Sequence, residues 1–373
     1  MASSSDGKSI RPRRRLFVKQ PIMLRMVYCL GALAVTAVYY FGWRVVSVLA
    51  LVLGLGLTIE FLMTRRRGKG ISTACLVTCL LYGLSLPPTV PYFVAGVGAV
   101  VAILFGKEVF GGFGHNFVNP AILGRAFVYV CFPVDLTGRF VPAFGGFPGG
   151  FAHWSFQSLD RLPDALAAGG RTVADAVSQA SPMWVIREYG LDVAARGVSW
   201  VDLALGSIAG TFQPPGASAR IISAGSAGEG CAVVIALAAV YLLVTRTANW
   251  RLMLSGLLGL VLANTLWRHG LGFAGTGEVP PVWVNLLGGT TMYVLVFMIT
   301  DPVSAPKRAG AQVAYGLLIG FLIVTLRWRG VFVAAATFSV LLGNLVGPLL
   351  DLADDAWRDR RKRAGSGPEE AAA

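Results

Sequence analysis

The sequence predicts an all-α, polytopic membrane protein, and three observations carry that prediction. Hydrophobic residues make up 55% of the 373-residue chain and charged residues only 14%, against about 25% charge in an average soluble domain. The apolar residues fall into long runs, about ten of which approach the roughly 20 residues that a bilayer crossing needs. The basic residues gather at the ends of these runs, where the positive-inside rule puts cytoplasmic loops.

The runs follow in order. The first half, 22–133, holds candidate spans at 22–42, 44–63, 71–87, 91–106 and 118–133. The second half, 229–350, holds 229–245, 251–267, 282–300, 311–327 and 330–350. The last is the weakest, because Arg327, Arg329 and Gly330 leave only a tight turn before it. The N-terminal segment 1–21 carries Lys8, Arg11, Arg13, Arg14 and Arg15, and the tail 351–373 carries Arg358, Arg360, Arg361, Lys362 and Arg363. Both termini therefore read as cytoplasmic, consistent with an even number of spans. Arg65–Arg67, Lys107, Arg246, Arg251, Lys307 and Arg308 fall on the same side, with Arg327 and Arg329 as the exceptions. The first 20 residues lead into a full-length span, so they do not read as a cleavable signal peptide.

The hydrophilic stretch 134–228 lies outside in this topology, with one short helix expected around 158–168. After Ala364 the tail is Gly, Ser, Pro, Glu and Ala, a composition that stays disordered. Five spans on each side of 134–228 suggest two inverted five-helix repeats. The third segment of each half is interrupted, at Gly83 and Pro87-Pro88 in one and at Gly288–Thr291 in the other. Paired breaks of this kind point to a central site, although small residues also serve tight helix packing.

Composition excludes several functions. The net charge of +13 is distributed over loop ends and does not form a nucleic-acid patch. Five cysteines lack the spacing of a zinc or iron–sulfur site, and His115, His153 and His269 lie far apart, so no metal centre is expected. No dinucleotide fingerprint or phosphate-binding loop is present, so any NADH oxidation requires another subunit.

The most informative stretch runs from Gly106 to Phe127, where Lys107, Glu108, His115, Asn116, Asn119 and Arg125 interrupt a membrane-like sequence among glycines. Broken backbone at membrane depth survives only where protein or a polar cavity satisfies it. Lys107, Asn116, Asn119 and Arg125 are therefore candidate cofactor-lining residues; asparagine amides suit an isoalloxazine ring or a hard cation. Plainer roles stand beside these. Asn119-Pro120 is a helix-start signal, and Lys107 and Glu108 could pair with each other. Glu60 lies inside the second span, where a carboxylate is costly and functional by default, unless it snorkels or pairs with Arg65. Glu60, Glu108 and Glu229 are the ion-pathway candidates; a helix start alone would also explain Glu229.

This stretch resembles NqrB, a membrane component of the sodium-translocating NADH:quinone reductase, and, more loosely, RnfD of the Rnf electron transport complex. Thr300-Asp301-Pro302-Val303-Ser304-Ala305-Pro306 is similar to the DPVSA motif of the same family, and Gly225-Ser226-Ala227-Gly228-Glu229 to its Gly-Ser-x-Gly-Glu helix start. The resemblance implies a flavin-bearing subunit of a multisubunit electron-transfer complex in the bacterial cytoplasmic membrane. Its partners would be other membrane and peripheral subunits, among them a flavoprotein donor, with quinone as an acceptor and membrane lipid around it. Electron flow would be coupled to Na+ or H+ translocation. The cofactors implied are FMN and riboflavin, with Asp301 and Ser304 on a polar wall near the flavin.

Family members carry FMN on a threonine, through a phosphoester, in a motif resembling Asp-x-x-Ser-Gly-Ala-Thr. The nearest match here is Asp175-Ala176-Val177-Ser178-Gln179-Ala180-Ser181. It keeps Asp175 and Ser178, puts Ser181 at the acceptor position and replaces the glycine by Gln179. A serine hydroxyl can form the same ester. The degraded motif also fits another class, a cofactor-poor relative acting as a channel, transporter or assembly scaffold.

Overall fold

The computed structural model describes residues 17–18, 20–68, 70–138, 140–155, 181–213, 220–273, 279–330 and 332–365. The described chain is mostly helical. Its only strands are two short pairs, β1 (Phe17–Val18) parallel to β2 (Ile71–Ser72), and β3 (Thr211–Phe212) antiparallel to β4 (Arg220–Ile221).

In the first half, α1 (Pro21–Phe41) and α2 (Arg44–Arg66) are long and apolar enough to cross a membrane. Pro21 starts α1, where its missing N–H costs nothing. Gly42 ends α1 at φ +84 and opens the turn into α2. Next come the shorter α3 (Thr73–Leu84), then α4 (Tyr92–Val100), which continues as a π-helical turn over Val101–Glu108, then α5 (Pro120–Cys131). A five-residue helix, α6 (Pro133–Thr137), follows.

In the second half, α10 (Ala232–Val244) is apolar but short, while α11 (Trp250–Thr265, continuing as a π-helical turn over Leu266–Gly270) is long enough to cross. The next segment is broken into α12 (Val282–Leu287) and α13 (Thr291–Tyr293), the latter continuing as a π-helix over Val294–Met298. The last two helices, α14 (Ala309–Trp328) and α15 (Ala335–Gly365), are long enough to cross. Five described helices thus have span length and composition. The tight turn at Arg329–Gly330 does not weaken the final helix, which runs for 31 residues through Pro348.

Helices α11 and α14 approach closely because glycine faces glycine. A Cβ on Gly320 would collide with the backbone of Gly256 and Leu260, and one on Gly259 with the backbone of Leu317. Small residues at such crossings let backbones touch where lipid supplies no hydrophobic drive.

The stretch between α6 and α10 contributes α7 (Pro182–Tyr189), α8 (Leu191–Gly197) and α9 (Trp200–Leu205). The helix expected around 158–168 lies outside the described residues. Backbone bonds tie the described parts of this stretch to one end of the bundle: Arg44 N–H donates to Trp154 O at 2.7 Å, Ala224 N–H to Val141 O at 3.0 Å and Gly228 N–H to Leu84 O at 2.7 Å. This is the loop end. The opposite, basic end carries Arg65–Arg67, Lys107 and Arg308.

Candidate functional site

The residues singled out in the sequence collect in two places, not one. At the loop end is a cavity of about 100 Å³ whose wall includes Ser181, Arg125, Arg187, Glu229 and Arg327. At the basic end is a smaller cavity of about 40 Å³, reached by Lys107, Asn116, Asn119 and Asp301. Asp175 and Ser178 lie outside the described residues.

The interrupted segments build the loop-end cavity. Pro87, from the break after α3, and Gly289 and Thr290, from the break between α12 and α13, sit in its wall. Gly289 takes φ +67, a conformation that a side chain would strain. Arg125 comes from α5 and donates to Ser226 Oγ at 3.2 Å. Ser226 N–H donates to Glu229 Oε1 at 2.7 Å, while the second carboxylate oxygen of Glu229 is buried without a partner. Arg327, near the end of α14, is buried; among the described residues it donates to the carbonyls of Asn285 and Gly288, at 3.4 and 3.3 Å. Ser181 caps α7, its Oγ accepting from Trp184 N–H at 3.3 Å. The wall therefore holds three guanidinium groups, of which Arg187 pairs with the neighbouring Glu188 at 3.4 Å, against the one carboxylate of Glu229, with a hydroxyl at a helix N-terminus. That balance favours an anion such as a phosphate. Trp184, Tyr129 and Phe332 supply aromatic surface beside it.

The residues of this wall are chemically suited to the phosphate of a flavin nucleotide. The cavity is smaller than the roughly 300–1,000 Å³ of small-molecule sites. An isoalloxazine ring therefore enters only if side chains such as Met183 and Trp184 turn aside.

The basic end is an ion-pair network. Lys107 Nζ lies 2.7 Å from Glu60 Oε2, both side chains being 2% exposed. Ser72 completes the triad: its N–H and Oγ donate to Glu60 Oε1 at 2.9 and 2.7 Å, and its Oγ accepts from Lys107 Nζ at 2.8 Å. Glu60 thus neither snorkels nor pairs with Arg65. Lys107 and Glu108 do not pair with each other either, because Glu108 bonds Arg67 at 2.9 Å. Neighbours on a helix point about 100° apart, so Lys107 and Glu108 face different partners. Cys75 and Cys79 lie buried nearby, their Sγ atoms 4.0 Å apart. No group of three or more metal-ligating side chains occurs among the described residues.

Asn119 caps α5: its Oδ1 accepts from Ala121 N–H at 3.0 Å and its Nδ2 donates to Met298 O at 3.4 Å. It is both a helix cap and a tie between the two halves. Asn116 donates to Val118 O at 3.2 Å. Asp301 accepts from Ser304 Oγ at 2.7 Å and from Val303 N–H at 3.3 Å, a self-capped turn. Ser304 itself lies on the far side of this turn, facing α15.

Arg327, Arg67 and Ser72 are site residues that the sequence does not single out as such. Arg327 carries a signal, being one of two arginines on the wrong side for the positive-inside rule. Ser72 carries none, because only the fold brings it between Glu60 and Lys107.

Helices of span length, interrupted segments meeting at a polar cavity and a buried ion-pair network together define an integral membrane protein with polar sites at both ends. The chain belongs to the NQR2, RnfD, RnfE family, which it matches over residues 15–355. It is 32% identical over 300 residues to the B subunit of the Na(+)-translocating NADH-quinone reductase of Chromohalobacter salexigens, covering 78% of this chain and 61% of that one. It is 31% identical over 298 residues to the protein of the same name from Azotobacter vinelandii, with 78% and 62% covered. Against the D subunit of the ion-translocating oxidoreductase complex of Shewanella amazonensis the identity is 30% over 343 residues, with 88% and 90% covered. The chain thus spans about three fifths of the length of the two quinone-reductase relatives but nearly all of the Shewanella relative.

Proposed function

We propose that this chain is the flavin-bearing membrane subunit of an ion-translocating electron-transfer complex. Ser181 is the attachment point, and the observation that carries the reading is its position in a wall with Arg125, Arg187 and Arg327. FMN, when bound, supplies the one- and two-electron redox chemistry. The protein supplies the anchor, orientation and electrostatics. Arg125 and Arg327 hold the phosphate, and Trp184 and Tyr129 border the ring. The basic-end cavity beside Asn116, Asn119 and Asp301 is the second flavin site, for riboflavin.

Around these sites the reading is a bundle of ten crossings in the bacterial inner membrane, built from two inverted five-helix halves, with both termini cytoplasmic. Contacts along the chain support it, since successive segments touch the loop end and the basic end in turn. Electrons pass from a partner flavoprotein at the loop end, through this chain, toward quinone or another carrier. Glu60, Glu108 and Glu229 line the path of the coupled Na+ or H+.

The test is reductive titration of the complex purified from a host that has the flavin transferase. Wild type should bleach one flavin more per chain than Ser181→Ala, and the variant should lose donor-driven quinone reduction. Equal flavin content in the two proteins would contradict the assignment.

A further inference from the structure

The turn between α10 and α11, at the basic end, forms a notch that the flavin reading does not use. Its volume is about 630 Å³, and its wall runs from Leu243 to Arg251. Arg246 and Arg251 both stand in this wall and are exposed, and no carboxylate forms an ion pair with either among the described residues. Arg246 adopts φ 53, fixed by N–H bonds from Arg246 to Leu243 O and from Thr247 to Leu242 O at 3.0 and 2.8 Å. Arg251 stacks over the Trp250 ring at 5.4 Å. A third arginine, Arg25 of α1, binds this turn by donating to Thr245 O at 2.8 Å.

Both helices that meet at the notch present apolar side chains outward. Val240 and Val244 on α10 and Leu254 and Leu258 on α11 are exposed, Val244 by 76%. In a membrane protein such surface faces acyl chains. Trp250, also exposed, sits where it ends, at the level that tryptophan prefers between headgroup and hydrocarbon. The notch thus joins an uncompensated pair of cations to lipid-facing stripes on either side.

We infer that this notch is a binding site for the phosphate headgroup of an anionic membrane phospholipid. Arg246 and Arg251 take the phosphodiester, and Trp250 packs on the glycerol region. The acyl chains run along the exposed stripes of α10 and α11. A neutral zwitterionic lipid would gain less, since its own cation competes with the arginines. The site is independent of the flavin assignment and needs only that the chain lie in a bilayer.

Native mass spectrometry of the full chain, purified with its accompanying subunits and offered equal phosphatidylglycerol and phosphatidylcholine, tests it. Wild type should retain phosphatidylglycerol preferentially, and Arg246→Gln with Arg251→Gln should lower that retention by about fivefold per arginine. Arg196→Gln, on α8 at the opposite, loop end, should leave retention unchanged. A loss as large in that control, no preference in wild type, or displacement of the lipid by inorganic phosphate alone would overturn the proposal. A second measurement needs no arginine variant. Brominated phosphatidylglycerol should quench wild-type tryptophan fluorescence more than brominated phosphatidylcholine, and Trp250→Phe should remove the excess. Equal quenching by the two lipids would also overturn it.

Discussion

Lys107 is the residue whose environment decides most at the basic end. Its ammonium is buried against Glu60 and Ser72, and neither charge reaches water. Breaking a buried pair from one side leaves an uncompensated charge and costs about 3–5 kcal/mol, whereas replacing both partners with neutral groups costs far less. Lys107→Met should therefore lower the unfolding temperature in detergent sharply, and Lys107→Met with Glu60→Gln should recover most of the loss. Thermal unfolding followed by tryptophan fluorescence checks this. A double variant no more stable than the single one would show that the pair does not carry this stability. Glu60 and Lys107 were legible in the sequence as misplaced charges at membrane depth. Their partnership was not, because they are 47 residues apart and meet only when α2 packs against the π-helical end of α4.

At the scale of elements, two of the short helices at the loop end, α7 and α9, are capped by serine side chains. Ser199 and Asp202 form a reciprocal capping box on α9, and Asp202 also accepts from Ser207 Oγ at 2.9 Å. Partial burial would raise the Asp202 carboxyl, but the bonds from Ser199 and Ser207 outweigh it and hold the group below its usual value. The sign follows. Stability from this box is present above the unfolded value of about 3.9 and disappears as pH falls through the lower folded value. Asp202→Asn should thus unfold earlier than wild type at pH 6, with the difference shrinking as the pH falls below the usual carboxylate value; a constant difference would exclude the box as the cause. The long helices were readable from apolar run length, and Asn119-Pro120 announced the start of α5. The π-helical turns were not readable, since an extra residue per turn leaves no mark on composition. Nor was the division of one expected site into two, because Asn119 and Arg125 lie six residues apart on α5 yet serve opposite cavities.

Across the described molecule, polar groups concentrate at the two ends of an apolar bundle, and the interrupted third segment of each half opens onto the loop-end cavity. That arrangement suits a protein that holds redox groups at different depths of a membrane. The function proposed for this chain requires a flavin esterified at Ser181. The most direct measurement is in-gel flavin fluorescence of the denatured chain, made in a host with the flavin transferase, for wild type and Ser181→Ala. Wild type should give a fluorescent band and the variant a dark one. A dark wild-type band, or a variant that still fluoresces, would contradict the attachment.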